Sequence, residues 1–179
     1  AIADSALTSI DASAATGAVN IGYYNSGVSY PVSNAGLTVK TSQAVSDVYA
    51  SGDNTAVSLT STSGAIGGGY VELSGASSTV SASAAGTLGY YLDIATNGTG
   101  AVIDLSKVGT DNVHGYGTRV YGVNGVGDNS TIKLGAGAGS SAIQQVDAGV
   151  NTHVYIGGDY DTVTVGKAVW GATGNMTTI

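Results

Sequence analysis

The 179-residue chain has no cysteine and no phenylalanine, and it holds one proline, one tryptophan, one arginine and one glutamate. Each scarcity closes a class of function. Without cysteine there is no disulfide framework, no thiolate metal site and no thiol nucleophile, so an exported fold must draw stability from assembly or a bound cation. Five basic residues, only Arg119 an arginine, stand against twelve acids and give a formal net charge of -7. That leaves no basic stripe for the phosphates of a nucleic acid, which is excluded as a partner. No run approaches the roughly 18 consecutive apolar residues of a membrane-spanning helix. Asp4 interrupts the apolar opening and no basic stretch precedes it, so the start reads as that of a processed or trimmed chain rather than of a signal peptide.

What is present points to β-structure. Gly, Ala, Ser and Thr make up about half of the residues, yet 42% are hydrophobic, enough to bury a core and unlike a disordered chain. The length suits one domain, taken here as residues 1–179. Among the acids, eleven are Asp and Glu72 stands alone. Asp favours turns and is a hard oxygen ligand, whereas Glu favours helices, so the balance points to loops that hold a cation rather than to helix. Short alternating runs such as Ala56 to Leu59, Tyr70 to Leu73, Val102 to Leu105 and Ile132 to Leu134, punctuated by Gly, Asn and Asp, predict an all-β chain.

Aligning on glycine exposes a unit: a Gly, a β-branched residue five later and an aliphatic residue seven later. The copies are Gly52-Val57-Leu59, Gly75-Val80-Ala82, Gly98-Ile103-Leu105, Gly127-Ile132-Leu134 and Gly158-Val163-Val165, separated by 23, 23, 29 and 31 residues. Positions two apart share a face of a strand, so the +5 and +7 residues are candidate core. Tyr-containing strands precede most of these glycines, for example Val48-Tyr49, Tyr70 to Leu73, Tyr90 to Ile94 and Val120-Tyr121. Two architectures satisfy a strand-turn-strand unit: a Gly-rich β-solenoid, in which each unit is a coil, and an antiparallel β-sandwich, in which each is a hairpin. The solenoid is the expectation.

Two segments carry a resemblance. Ile156-Gly157-Gly158-Asp159-Tyr160-Asp161-Thr162-Val163-Thr164-Val165-Gly166 resembles the calcium-binding glycine-aspartate repeats of the repeats-in-toxin family, and Leu7 to Ile21 resembles stretches interleaved with such repeats in Gram-negative surface-layer proteins and large secreted adhesins. Together they span about a seventh of the chain. The resemblance implies calcium ligation by Asp159 and Asp161, export without disulfides, folding outside the cell, and a surface-layer or surface-filament role.

Several residues carry candidate chemistry. Calcium takes six to eight oxygens from carboxylates and carbonyls, which the turns at Asp53, Asp128, Asp159 and Asp161 supply, with Asp111 and Asp147 as lesser candidates; each reads equally as a solvated turn residue. His114 and His153 lie far apart with no Cys, against a zinc site. Glu72 and Asp93 are the best carboxylate pair for glycoside hydrolysis, but they read as outward-facing strand residues. Gly67-Gly68-Gly69 lacks the Lys-Ser/Thr of a phosphate loop and reads as a connection or a close backbone contact. Tyr23-Tyr24 and Tyr90-Tyr91 place neighbouring rings on opposite strand faces, and with Trp170 they are the candidate interface or ligand-face residues.

These readings predict a non-enzymatic, extracellular or bacterial cell-surface structural protein, assembling with copies of itself into a surface layer or filament with calcium as the stabilising ion. Residues 1–36 and 167–179 are its intermolecular or capping segments. The alternative is a calcium-dependent adhesin or carbohydrate-binding module with a cell-surface glycan as partner.

Overall fold

The computed structural model describes residues 6–111, 113–122, 127–135 and 145–155, and the backbone of the strand Thr162–Val165. It is a parallel β-solenoid with no helix among the described residues, and so none long and apolar enough to cross a membrane. One seven-stranded sheet stacks Ser9–Asp11, Thr38–Lys40, Ala56–Leu59, Thr79–Ala82, Val102–Leu105, Thr131–Leu134 and His153–Tyr155. A second stacks Val19–Ile21, Ser46–Ala50, Gly69–Leu73, Leu92–Thr96, Thr118–Tyr121, Gln145–Ala148 and Thr162–Val165. The chain alternates between the two, and every neighbouring pair within them is parallel, which rules out the antiparallel sandwich.

Each sheet turns a ladder of identical register inward. In the first sheet it is Ile10, Val39, Val57, Val80, Ile103, Ile132 and Val154. In the second it is Ile21, Val48, Val71, Ile94, Val120 and Val146. All but Ile10 are buried, and each such side chain contributes about 1.5–3 kcal/mol relative to exposure. The expected +5 residues are these ladder positions, and the +7 residues Leu59, Ala82, Leu105 and Leu134 are buried beside them. A short third sheet, Ala65–Ile66, Gly86–Leu88 and Val108–Gly109 with an antiparallel flap at Ser61–Thr62, closes the middle coils and seats Ile66, Leu88 and Val108 in the same core.

The turn from second sheet to first explains the glycine period. A Cβ on Gly75 would lie 2.1 Å from the Gly52 carbonyl oxygen, one on Gly98 2.0 Å from that of Gly75, and one on Gly127 2.0 Å from that of Gly98. The four glycines stack on one another, and only hydrogen fits. Two residues on, Gly36, Asn54, Ser77, Gly100, Asn129 and Asn151 all adopt left-handed φ between 53 and 71°. Their N–H groups donate up the stack, Asn54 to the Ala76 carbonyl and Ser77 to the Thr99 carbonyl, each at 2.8 Å. Three residues after the glycine, Thr55 and Ser78 return a hydroxyl to the Gly52 and Gly75 carbonyls at 2.7 and 3.0 Å, and Ser130 does the same to Gly127.

The stack corrects the fifth predicted unit. Thr162–Val165 pairs with Gln145–Ala148 and so belongs to the second sheet, which displaces Gly158-Val163-Val165 from the series. The coil after Gly127 turns instead at Gly149 and Asn151 and delivers Val154 to the first-sheet ladder. A further turn precedes Gly52, at Asn34-Ala35-Gly36, whose Asn34 carbonyl occupies the space a Cβ on Gly52 would need.

Candidate functional site

The outer face of the second sheet carries a groove of about 940 Å³. Its floor is one row of the ladder, Asp47, Tyr70, Asp93, Arg119 and Gln145, five residues from five successive coils brought into register. Alternation puts these side chains outward because Val48, Val71, Ile94, Val120 and Val146, each the next residue along, point into the core. The Arg119 guanidinium donates to Asp93 Oδ2 at 2.7 Å and lies 4.7 Å from the centroid of the Tyr121 ring. Partial burial works against the Arg119 charge, but the bond and charge attraction to Asp93, joined by Tyr121, together outweigh it and hold the guanidinium above its ordinary value. Asp47 accepts the Tyr70 backbone N–H at 3.1 Å. Burial, reinforced by hydrogen bonding to Tyr121 and Glu72, pushes the Tyr70 phenol far up, so it stays a neutral donor.

One wall is aromatic. Tyr90 and Tyr91 are 45% and 51% exposed, and their rings meet edge-on at 5.9 Å. Both touch Tyr116, at 5.7 and 5.2 Å, and His114 stacks on Tyr116 at 5.4 Å. The expectation that Tyr90 and Tyr91 sit on opposite strand faces is corrected: the strand begins at Leu92, and both rings stand in the bend before it. That bend is pinned by the close approach of Gly68, where a Cβ would lie 2.3 Å from the Tyr91 carbonyl oxygen, and by the Gly69 N–H donating to that oxygen at 2.7 Å. Gly67-Gly68-Gly69 is thus a close backbone contact.

Tyr23 and Tyr24 do point to opposite faces. They lie on the hairpin Tyr23–Asn25 and Val28–Tyr30, joined by Ser26-Gly27, both with positive φ as a two-residue turn requires. Tyr23 stacks on Tyr30 at 4.4 Å with both rings about half exposed, and Tyr24 packs on Tyr49. Ser29 donates to Glu72 Oε2 at 2.9 Å, which holds the hairpin against the second sheet. Glu72 and Asp93 are both on its outer face, Glu72 beneath the hairpin and Asp93 paired with Arg119.

The predicted cation ligands among the described residues, Asp53, Asp111 and Asp128, do not form one cluster. Asp53 and Asp128 occupy the same turn position three coils apart, about 14 Å at the ordinary strand spacing. Asp53 Oδ1 accepts the Ala76 N–H at 2.8 Å, and Asp128 Oδ1 accepts the Val150 N–H at 3.1 Å. Asp111 organises the loop behind the aromatic wall, accepting from the Val113 and His114 N–H groups and meeting His114 Nδ1 at 2.6 Å. Among the described residues no three of His, Asp and Glu gather where a metal would bind. Asp159, Asp161 and Trp170 lie outside the described residues.

Sequence reasoning missed Asp47, Tyr70, Arg119 and Gln145 as groove residues. The usable signal was the ladder: each floor residue precedes a buried Val or Ile of a second-sheet strand, a position legible once the coil lengths are known.

The fold and the site together define a parallel β-solenoid bearing an aromatic-walled groove on one face. Comparison with known proteins finds no matching family model, no matching curated protein and no matching solved structure.

Proposed function

We propose that the protein is an extracellular structural subunit that stacks end to end with copies of itself into a filament or surface layer at the bacterial cell surface. The observation that supports this most directly is the first coil. Among the described residues, Ser9–Asp11 and Val19–Ile21 are each paired on one side only, so two strand edges lie side by side at one end, with Leu7, Ile10 and Val19 half-buried against the core. An unpaired edge is a template for another strand. The surface that matches two parallel edges in spacing and polarity is the opposite end of another solenoid. A contact between unlike ends does not close on itself and grows as a fibre. Calcium enters this reading through the Asp159 and Asp161 segment, as a clamp on assembly.

Electron microscopy and light scattering, in millimolar calcium and then in chelator, test both parts. Ordered fibres or sheets are expected from the native chain, and monodisperse monomer from Ile10→Lys, which places a charge on the exposed edge. Loss of order on chelation supports the ion. Order indifferent to chelator removes calcium and keeps assembly. A native chain that remains monomeric in both conditions overturns the proposal.

A further inference from the structure

Independently of assembly, we propose that the groove on the second sheet binds a single chain of a neutral polysaccharide lying along the solenoid axis.

Shape is the first argument. The floor residues Asp47, Tyr70, Asp93, Arg119 and Gln145 rise one coil at a time, so the row runs about 19 Å at the ordinary strand spacing. That is a track for several linked rings rather than a pocket for one, and its volume falls in the range of small-molecule sites. The wall is the second. Tyr90 and Tyr91 present half-exposed rings, amphipathic surfaces suited to the C–H faces and hydroxyl edges of a pyranose. Contact with Tyr116 holds both rings in place before any ligand arrives, which lowers the ordering cost of binding.

The floor selects the chemistry. Carboxylates at Asp47 and Asp93 accept, Arg119 donates and Gln145 does both, matching hydroxyls that also do both. Arg119 is already engaged by Asp93, so no free cation on the floor awaits an anionic ligand, and the two carboxylates outnumber the guanidinium. Polyuronates and nucleic acids are disfavoured on that count, which the chain's charge of -7 reinforces. A peptide strand is disfavoured by geometry. The floor is the face of a sheet whose strands are paired on both sides, so it offers no edge for β-augmentation.

Isothermal titration of the full chain with laminarin, a soluble neutral xylan and polygalacturonate tests this, using Tyr90→Ala/Tyr91→Ala, Tyr90→Phe/Tyr91→Phe and, outside the groove, Tyr23→Ala/Tyr30→Ala. Binding of at least one neutral polymer is expected, weakened about tenfold or more by loss of the two rings, kept by the Phe pair and unchanged by the hairpin pair. Circular dichroism melts check that the variants are folded. Absence of heat with both neutral polymers, equal binding by a folded Tyr90→Ala/Tyr91→Ala variant, or preference for polygalacturonate overturns the proposal. Because the hairpin and groove variants leave the first-coil edge untouched, failure here is separable from failure of assembly.

Discussion

At Gly75 two neighbouring turns approach so closely that one added methyl group has nowhere to go. Its Cβ would meet the Gly52 carbonyl oxygen at 2.1 Å, and backbone rather than a movable side chain is what it meets. Gly75→Ala should therefore destabilise the fold by about 3 kcal/mol, at the upper end of overpacking costs, measurable by urea denaturation. A loss under 1 kcal/mol would show that the turn stack is looser than drawn. The same turns explain what the sequence could and could not disclose. The glycine and the +5 aliphatic residue recur because space and core demand them, so four units were legible. Of the remaining two, one was hidden because the turn also accepts Asn34 at its first position, and the other, Gly149-Val154-Ile156, keeps the spacing but was masked by Gly158-Asp159, which shares the aspartate of Gly52-Asp53 and Gly127-Asp128. The left-handed residue two positions on is the constant feature, and Gly, Asn and Ser all satisfy it, so no single letter marks it.

At the scale of strands, the second sheet faces two ways with different chemistry. Its inner rows are mostly aliphatic, but polar residues intrude, and two of them, Thr96 and Thr118, are buried with hydroxyls that find no hydrogen-bond partner. A buried unsatisfied hydroxyl costs about 1–3 kcal/mol, so Thr96→Val, nearly isosteric and facing the same core, should raise stability by about 1 kcal/mol. A lower thermal midpoint for this variant would mean that the hydroxyl has a partner after all. The outer rows carry Tyr, Asp and Arg, and their strands were recognisable from the Tyr runs. Their assembly into one groove was not. Register depends on coil lengths, and the coils joining Leu92 to Thr118 and Arg119 to Gln145 are longer than the two that join Ser46 to Gly69 and Gly69 to Leu92. Tyr90 and Tyr91 were misplaced for a related reason. The alternation of Tyr90 to Ile94 reads as strand throughout, while contact with Gly68 bends the backbone out of the sheet until Leu92.

For the whole molecule, acid is the informative perturbation, because two effects pull in opposite directions. Protonating carboxylates relieves the self-repulsion of a chain carrying -7, which favours the compact state. Against this, three aspartates sit below the usual carboxylate range in the folded chain. Asp11 is held down by Lys40 at 2.8 Å and by Ser13, Asp104 by Ser106 and Lys133 against the opposing effect of burial, and Asp111 by His114 and two backbone N–H groups. A carboxyl whose folded value is depressed binds its proton more readily when unfolded. Its stabilisation is complete above the unfolded value near 3.9 and is lost as pH falls through the folded one. The repulsion is spread over a long solenoid and screened by salt, whereas the three local contacts are short and specific, so the second effect should win. Thermal midpoints by circular dichroism are expected to hold steady from about pH 8 to pH 5 and to fall as pH drops below about 4. A midpoint that rises on acidification would assign control to net charge. In the first coil Asp11–Lys40 ties the outermost strand to the next one, and because Asp11 is held further down than Asp104 or Asp111, that tie should be the last of the three to go as pH falls. If the proposed end-to-end stacking holds, fibres should therefore persist down to the pH at which the subunit itself unfolds, and turbidity lost well before the circular dichroism signal in one acid titration would show that another group controls the edge.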